Sequence, residues 1–195
     1  MLIKEPERID VLVNKENWLS KDYEHYDLII PKVKFTEGTL EMSKLMRHVA
    51  AKALEKLFKT AKKNKIELYA VSGYRSFERQ RDIFKANYKI DGERANKYSA
   101  RPGQSEHQTG LAMDITCEEV EYKLCEEFEK TNAYEWLIEN MQNNGFILRY
   151  PRGKEDVTGY VFEPWHIRYV GKNVAKELYE EGITLEEYYR NKMQS

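Results

Sequence analysis

The sequence predicts an α+β fold, with a small, mainly antiparallel sheet covered by helices, and three observations predict it. Apolar residues recur at three and four over one long stretch, the spacing of a helix that buries one face. Several short apolar or alternating runs are separated by turn residues, and the elements follow the order αβα…βαβββαα, which favours helices laid on one side of a small sheet. The length of 195 residues suits one domain with its own core, because a chain of this size buries roughly 70% of its unfolded surface.

Residues 1–38 read as an irregular or extended arm packed on the domain of residues 39–195. Asn14, Pro31 and Gly38 break the arm, and Leu28-Ile29-Ile30 suits an edge strand. Met42, Leu45, Met46, Val49, Ala50, Ala53, Leu54, Leu57, Phe58 and Ala61 define the apolar face of a helix over about 39–63. Ile66 to Val71 is a short strand, and Ser76 is placed to cap a helix that carries Arg79 and Gln80 in its first turns. After a polar loop at Arg101-Pro102-Gly103, SEHQTGLAMDIT ends as a strand with Ala112, Asp114 and Thr116 on one face and Leu111, Met113 and Ile115 on the other. Thr131 to Asn144 is a helix stopped by Gly145, and residues 146–148 are a strand. Gly159 to Val170 offers two short strands broken at Pro164, and helices follow near 172–181 and 184–192.

Composition narrows the function. The 32 Lys and Arg against 33 Asp and Glu leave a net charge of −1, and no basic tract suggests a nucleic-acid groove. Charges at Lys4, Glu5, Glu7, Arg8 and Asp10 interrupt any signal core or membrane span near the N-terminus. As written, the chain reads as a soluble monomer without an address, cytoplasmic or else the exported part of a longer precursor. Cys117 and Cys125 lie eight apart in a helix-prone stretch, about 12 Å along a helix, and predict no disulfide.

Two of the four histidines stand beside possible ligands or bases: His107 within Ser105-Glu106-His107, ahead of Gly110 and Asp114, and His166 within Glu163-Pro164-Trp165-His166. His25, in the arm, and His48, on the first helix, suit surface or structural roles. Two imidazoles and a carboxylate make a catalytic zinc set that leaves one position for water. Seven residues separate His107 from Asp114, too far on a helix, but a loop turning at Gly110 into a strand brings them together. Glu163 and His166 would face opposite sides of a regular strand, and a bend at Pro164 lets both enter one cleft. Taken from spacing alone, the same histidines also fit loop residues hydrogen-bonded to neighbouring acids. An iron site of two histidines and one carboxylate is a further option, although the tight His-x-Asp pattern usual there is absent.

Three segments, SGYRSFERQ (72–80), SEHQTGLAMDI (105–115) and EPWHIRYVG (163–171), together resemble the VanY-type D-alanyl-D-alanine carboxypeptidases. That group is related to D-Ala-D-Ala dipeptidases, L,D-carboxypeptidases and the lysostaphin and hedgehog metal domains. The resemblance runs from about Leu12 to Tyr189 and implies the hedgehog/D-Ala-D-Ala peptidase-like fold. It also implies that His107, Asp114 and His166 bind Zn2+ and that Glu163 is the catalytic base. Arg75 would then lie beside the scissile carbonyl or the substrate carboxylate, with Gln80 and Ser105 holding the peptide end and Tyr74 and Trp165 as further substrate contacts or packing residues. The implied substrate is a peptidoglycan stem peptide or precursor ending in D-Ala. A dipeptidase, an L,D-carboxypeptidase or a non-catalytic zinc or cell-wall binding module are the alternatives on the same scaffold.

Overall fold

Helix α1 (His48–Lys63) forms where the apolar spacing is tightest, and buries Ala50, Ala51, Leu54, Leu57 and Ala61 in a computed structural model that describes residues 1–194. Burying a leucine such as Leu54 or Leu57 contributes roughly 1.5–3 kcal/mol of transfer free energy. The helix begins at His48 and not near residue 39. Leu45 is extended, and β2 (Met46–Arg47) pairs antiparallel with β1 (Leu28–Ile29) of the arm, so those backbone groups are engaged across strands. Glu41–Lys44 forms a 3-10 turn, and Met42 stays exposed.

Strand β3 (Tyr69–Ser72) leads to α2 (Phe77–Asp91), whose N-terminus is capped by the Ser76 hydroxyl accepting from the Arg79 N–H at 3.2 Å. Strand β4 (Ala112–Thr116) is followed by α3 (Asn132–Asn140), capped by Thr131 and continued by a 3-10 turn over Met141–Asn144. Gly145, at φ +87°, ends it in the left-handed region and turns the chain into β5 (Phe146–Leu148). The short α4 (Glu155–Thr158), β6 (His166–Tyr169), α5 (Lys172–Glu181) and α6 (Leu185–Gln194) complete the order. The strand anticipated before Pro164 is absent. Val161 N–H bonds Lys97 O and Glu163 N–H bonds Tyr150 O, single bonds to two different segments that make no ladder.

The main sheet has the order β3-β4-β6-β5 with antiparallel neighbours throughout. Met113, Ile115, Ile167 and Tyr169 point to one face and share a core with Leu54 and Leu57 of α1 and Leu137 of α3. Asp114, His166 and Arg168 point to the other. On that side Ile147 and Val170 pack with Ala175, Leu178, Leu185 and Tyr188 of the last two helices, and the arm adds a cluster of Val11, Val13 and Leu19. Register aligns Ser72 with Asp114 and Asp114 with His166, and the Arg149 N–H bonds the His166 carbonyl at 3.2 Å. A single transverse row thus carries Ser72, Asp114, His166 and Arg149 across the sheet. Among the described residues no helix is long and apolar enough to cross a membrane, and Cys117 and Cys125 are free thiols.

Candidate metal centre and active-site cleft

Two of the three converging groups are placed by strand register, since directly opposed residues in an antiparallel pair share a face, and Asp114 opposes His166. The third arrives from the 3-10 turn Glu106–Thr109, which Gly110 closes at φ +68° before the chain enters β4. A Cβ at Gly110 would also stand 3.2 Å from the Arg47 backbone nitrogen, a close approach that adds to the preference for glycine set by its φ. His107 Nε2 lies 3.5 Å from Asp114 Oδ2, and His166 Nδ1 lies 3.2 Å from Asp114 Oδ1. Ligand atoms about 2.0–2.1 Å from one tetrahedral centre are separated by about 3.3–3.4 Å. The two distances reach different oxygens of Asp114, and one ligand atom from each of the three residues lies within 4.8 Å of the others, close enough to converge on a single ion. Among the described residues, buried Asp114 Oδ1 meets only His166 Nδ1, at 3.2 Å and outside hydrogen-bond geometry, an oxygen that a cation would satisfy. Donor set, spacing and orphaned oxygen all fit a metal ion held by His107, Asp114 and His166.

Each imidazole is fixed through its other nitrogen. His107 Nδ1 is 2.6 Å from the Gly73 carbonyl, so it donates there and turns Nε2 to the cluster. His166 Nε2 is 3.3 Å from Glu106 Oε2, which leaves Nδ1 for the cluster. Burial pushes the His107 imidazole down to about 3 in spite of the Asp114 carboxylate. Burial also works against a charged His166, but the Asp114 and Glu106 carboxylates outweigh it and raise that imidazole to about 9. For Asp114, burial opposes ionisation, while His107, His166 and Arg75 prevail and hold the carboxyl below its usual range. Glu163 differs. Burial pushes its carboxyl up to about 7, with His166 pulling the other way.

Those groups line a cavity of about 220 Å³ that also takes in Arg75, Gln80, Ser105, Trp165 and Glu163. Beyond the bend at Pro164, Glu163 Oε2 comes within 3.7 Å of His166 Nδ1. Arg75 is clamped, its guanidinium donating to Gln80 Oε1 at 2.8 Å and to Ser72 Oγ at 3.2 Å. Gln80 in turn donates to the Ala100 carbonyl at 2.6 Å, so both ends of its amide are engaged in fixing Arg75 and the cleft wall. Tyr74 is the exception among the anticipated contacts. It lies outside the cavity, buried, because neighbours in this extended segment point to opposite sides and Arg75 takes the inward one. His25 is also buried, between Glu7 at 2.7 Å and Asp27 at 2.5 Å, away from the cluster. A larger groove of about 640 Å³ between the arm and α6 contains none of the three converging groups.

Sequence reasoning missed Tyr150, Tyr160 and Glu106. Tyr150 and Tyr160 line the cavity, and the Tyr150 ring packs 4.9 Å from that of His166. Glu106 stands inside the quoted motif, and the signal that points to it is chemical: a ligating histidine needs an acceptor for its second nitrogen.

Residues 43–172 match the VanY family profile, described as D-alanyl-D-alanine carboxypeptidase. The chain is 48% identical over 188 residues to a putative carboxypeptidase, YodJ, of Bacillus subtilis (strain 168), covering 96% of this chain and 69% of that protein. Its fold is similar to that of the LdcB LD-carboxypeptidase, with a TM-score of 0.93 at 47% identity over 97% of this chain and 89% of that one. It is also similar to the vancomycin resistance D,D-pentapeptidase VanY from a VanB-type resistance cassette, solved as a mutant in complex with Zn(II), with a TM-score of 0.74 at 34% identity over 93% and 98% of the two chains. With its four-stranded antiparallel sheet, flanking helices and His-Asp-His cluster, this chain belongs to the VanY family of D-alanyl-D-alanine carboxypeptidases, which is related to the L,D-carboxypeptidases and the VanXY dipeptidases.

Proposed function

We propose that this chain is a zinc metallopeptidase that removes the C-terminal D-alanine from peptidoglycan stem peptides or their precursors. The observation that carries the reading is the convergence of His107, Asp114 and His166 beside a buried carboxyl, Glu163, 3.7 Å from His166. Zinc suits two imidazoles and one carboxylate, and a VanY relative was solved with Zn(II). Bound there, the ion would supply Lewis acidity toward the scissile carbonyl and the attacking water.

The chain's own residues do the rest. Glu163 takes the proton of the attacking water at Oε2 and passes it to the leaving amine nitrogen, as its carboxylate stands 3.7 Å from His166 Nδ1 at the cluster. Arg75, clamped by Gln80 and Ser72, presents paired N–H donors to the substrate carboxylate or to the oxyanion that develops beside it. Ser105 and Trp165 line the same cavity and meet the peptide end.

A second reading, release of D-alanine from an L-residue, is favoured by the 47% identity and 0.93 TM-score to the LdcB LD-carboxypeptidase. Incubation with defined stem peptides ending in D-Ala-D-Ala or in L-Lys-D-Ala, with products identified by mass spectrometry, separates the two. A D,D-carboxypeptidase releases one D-alanine from the first and leaves the second intact, and an L,D-carboxypeptidase does the reverse. Amidating the C-terminus of the accepted peptide should reduce kcat/KM sharply. Equal cleavage of amidated and free peptides would contradict a carboxypeptidase.

A further inference from the structure

Glu106 has no part in the chemistry above, yet its side chain is fully buried beside the cluster. Both of its arginine partners converge on one oxygen: Arg149 Nε donates to Oε1 at 2.7 Å and Arg168 Nη1 to the same atom at 2.6 Å. Oε2 is left facing His166 Nε2 at 3.3 Å. The arginines are themselves pinned elsewhere. Arg149 also donates to Glu186 of α6 at 2.8 and 2.6 Å, and Arg168 donates to the arm carbonyls of Ile9 and Val11 at 3.1 and 2.8 Å.

Two arginines and two glutamates balance, so the quartet carries no net charge of its own, and a cation at Nδ1 would take the place of the second proton that metal-free His166 holds. What Glu106 lacks is a donor on Oε2, and the nearest one is the His166 Nε2–H. A neutral imidazole that gives its Nε2 proton to Glu106 keeps a lone pair on Nδ1, the atom that faces Asp114. His107 is held the opposite way, giving its Nδ1 proton to the Gly73 carbonyl.

We propose that Glu106, anchored by Arg149 and Arg168, is a positioning residue that fixes the His166 tautomer and ring so that Nδ1 is presented to the metal. The proposal rests on the metal-centre reading above. A counter-ion role alone would require Glu106 only for the stability of the two buried arginines, and would leave the zinc-loaded His166 with the same tautomer and ring orientation after amide replacement.

The test uses the full chain with 15N-labelled histidine, loaded with zinc alone and observed by long-range 1H–15N correlation, with zinc affinity measured by chelator competition. In the unsubstituted protein His166 should carry its proton on Nε2 and His107 on Nδ1. A zinc-loaded His166 protonated on Nδ1 overturns the proposal whether or not any variant folds. Glu106→Gln keeps the shape but can turn an amide donor toward Nε2, so it should bind zinc about 10–100-fold more weakly. Its His166 resonances should change while those of His107 persist. A folded Glu106→Gln that binds zinc within twofold of the parent, with an unchanged His166 pattern, refutes the role of Glu106 and leaves the metal centre standing. Failure of the unsubstituted chain to bind zinc, with neither histidine responding to it, sinks the metal centre and this inference together.

Discussion

A carboxyl placed where Glu163 sits loses most of its hydration, and the folded protein therefore prefers it protonated up to about 7, against an ordinary value of 4.5. Between those two values the folded chain holds a proton that the unfolded chain has released. Stability must then fall as pH rises across that window, by an amount that such a displacement sets at about 3 kcal/mol. Metal-free Glu163→Gln should accordingly be more stable than the metal-free parent at pH 8 by about that amount and indistinguishable from it below pH 4, as read by urea unfolding. The zinc-loaded variant should retain its metal and lose at least about two orders of magnitude in kcat, the span for removing a general base. Equal stability of the two metal-free proteins at pH 8 would mean that Glu163 is solvated. The spacing of Glu163 and His166 was legible as a pair needing a bend at Pro164. The protonation of Glu163 was not, because burial is set by segments remote in sequence.

At the scale of elements, the site depends on where strands end. Gly73 follows β3, and its carbonyl receives the His107 proton. A Cβ there would lie 2.5 Å from the Leu45 carbonyl oxygen, a backbone atom that cannot easily withdraw, and 2.8 Å from the more yielding Met113 methyl. Gly73→Ala should cost about 1–3 kcal/mol in unfolding free energy, the range for overpacking, and should weaken zinc binding by shifting the His107 acceptor. Normal metal affinity in that variant would show that His107 needs no such anchor. The alternation in β4 could be read directly because apolar Met113 and Ile115 interleave with Ala112, Asp114 and Thr116. Helix α1 was extended too far toward the N-terminus for the converse reason. Met46 has helical spacing, but the backbone of Met46–Arg47 pairs with Leu28–Ile29, a partner that local pattern does not reveal. Tyr160 and Phe162 alternate like a strand and are buried like one, yet no adjacent strand receives their backbone.

Across the whole molecule, the two ends of the chain meet behind the site. The arm offers the carbonyls of Ile9 and Val11 to Arg168 and that of Val13 to Arg149, at a longer 3.5 Å, and α6 contributes Glu186. Removing residues 1–13 would take the Ile9 and Val11 carbonyls from Arg168 and the longer Val13 contact from Arg149, leaving their bonds to Glu106 and Glu186, at about 1–3 kcal/mol for each buried donor left unsatisfied. The truncated chain should unfold with a markedly lower Tm than the full chain. An unchanged Tm would mean that the arm is a separable appendage. The sequence reads residues 1–38 as an arm packed on the domain but not which groups it meets, because the ion pairs behind the site join residues 37 to 62 positions apart.

The transverse row of the sheet has one more consequence. Asp114 and His166 are held by hydrogen-bonded register, whereas much of the cleft wall around them comes from connecting segments, among them Tyr98 to Ala100, Leu124 and Tyr160. A strand cannot shift by a single residue without turning its ligand to the opposite side of the sheet, but a connection can lengthen, shorten or change composition at little cost to the ladder. Two of the three converging groups are therefore held by the ladder, while His107 and much of the cleft wall ride on connecting segments. The ladder thus resists change at Asp114 and His166, whereas the connecting segments leave the shape of the cleft free to vary.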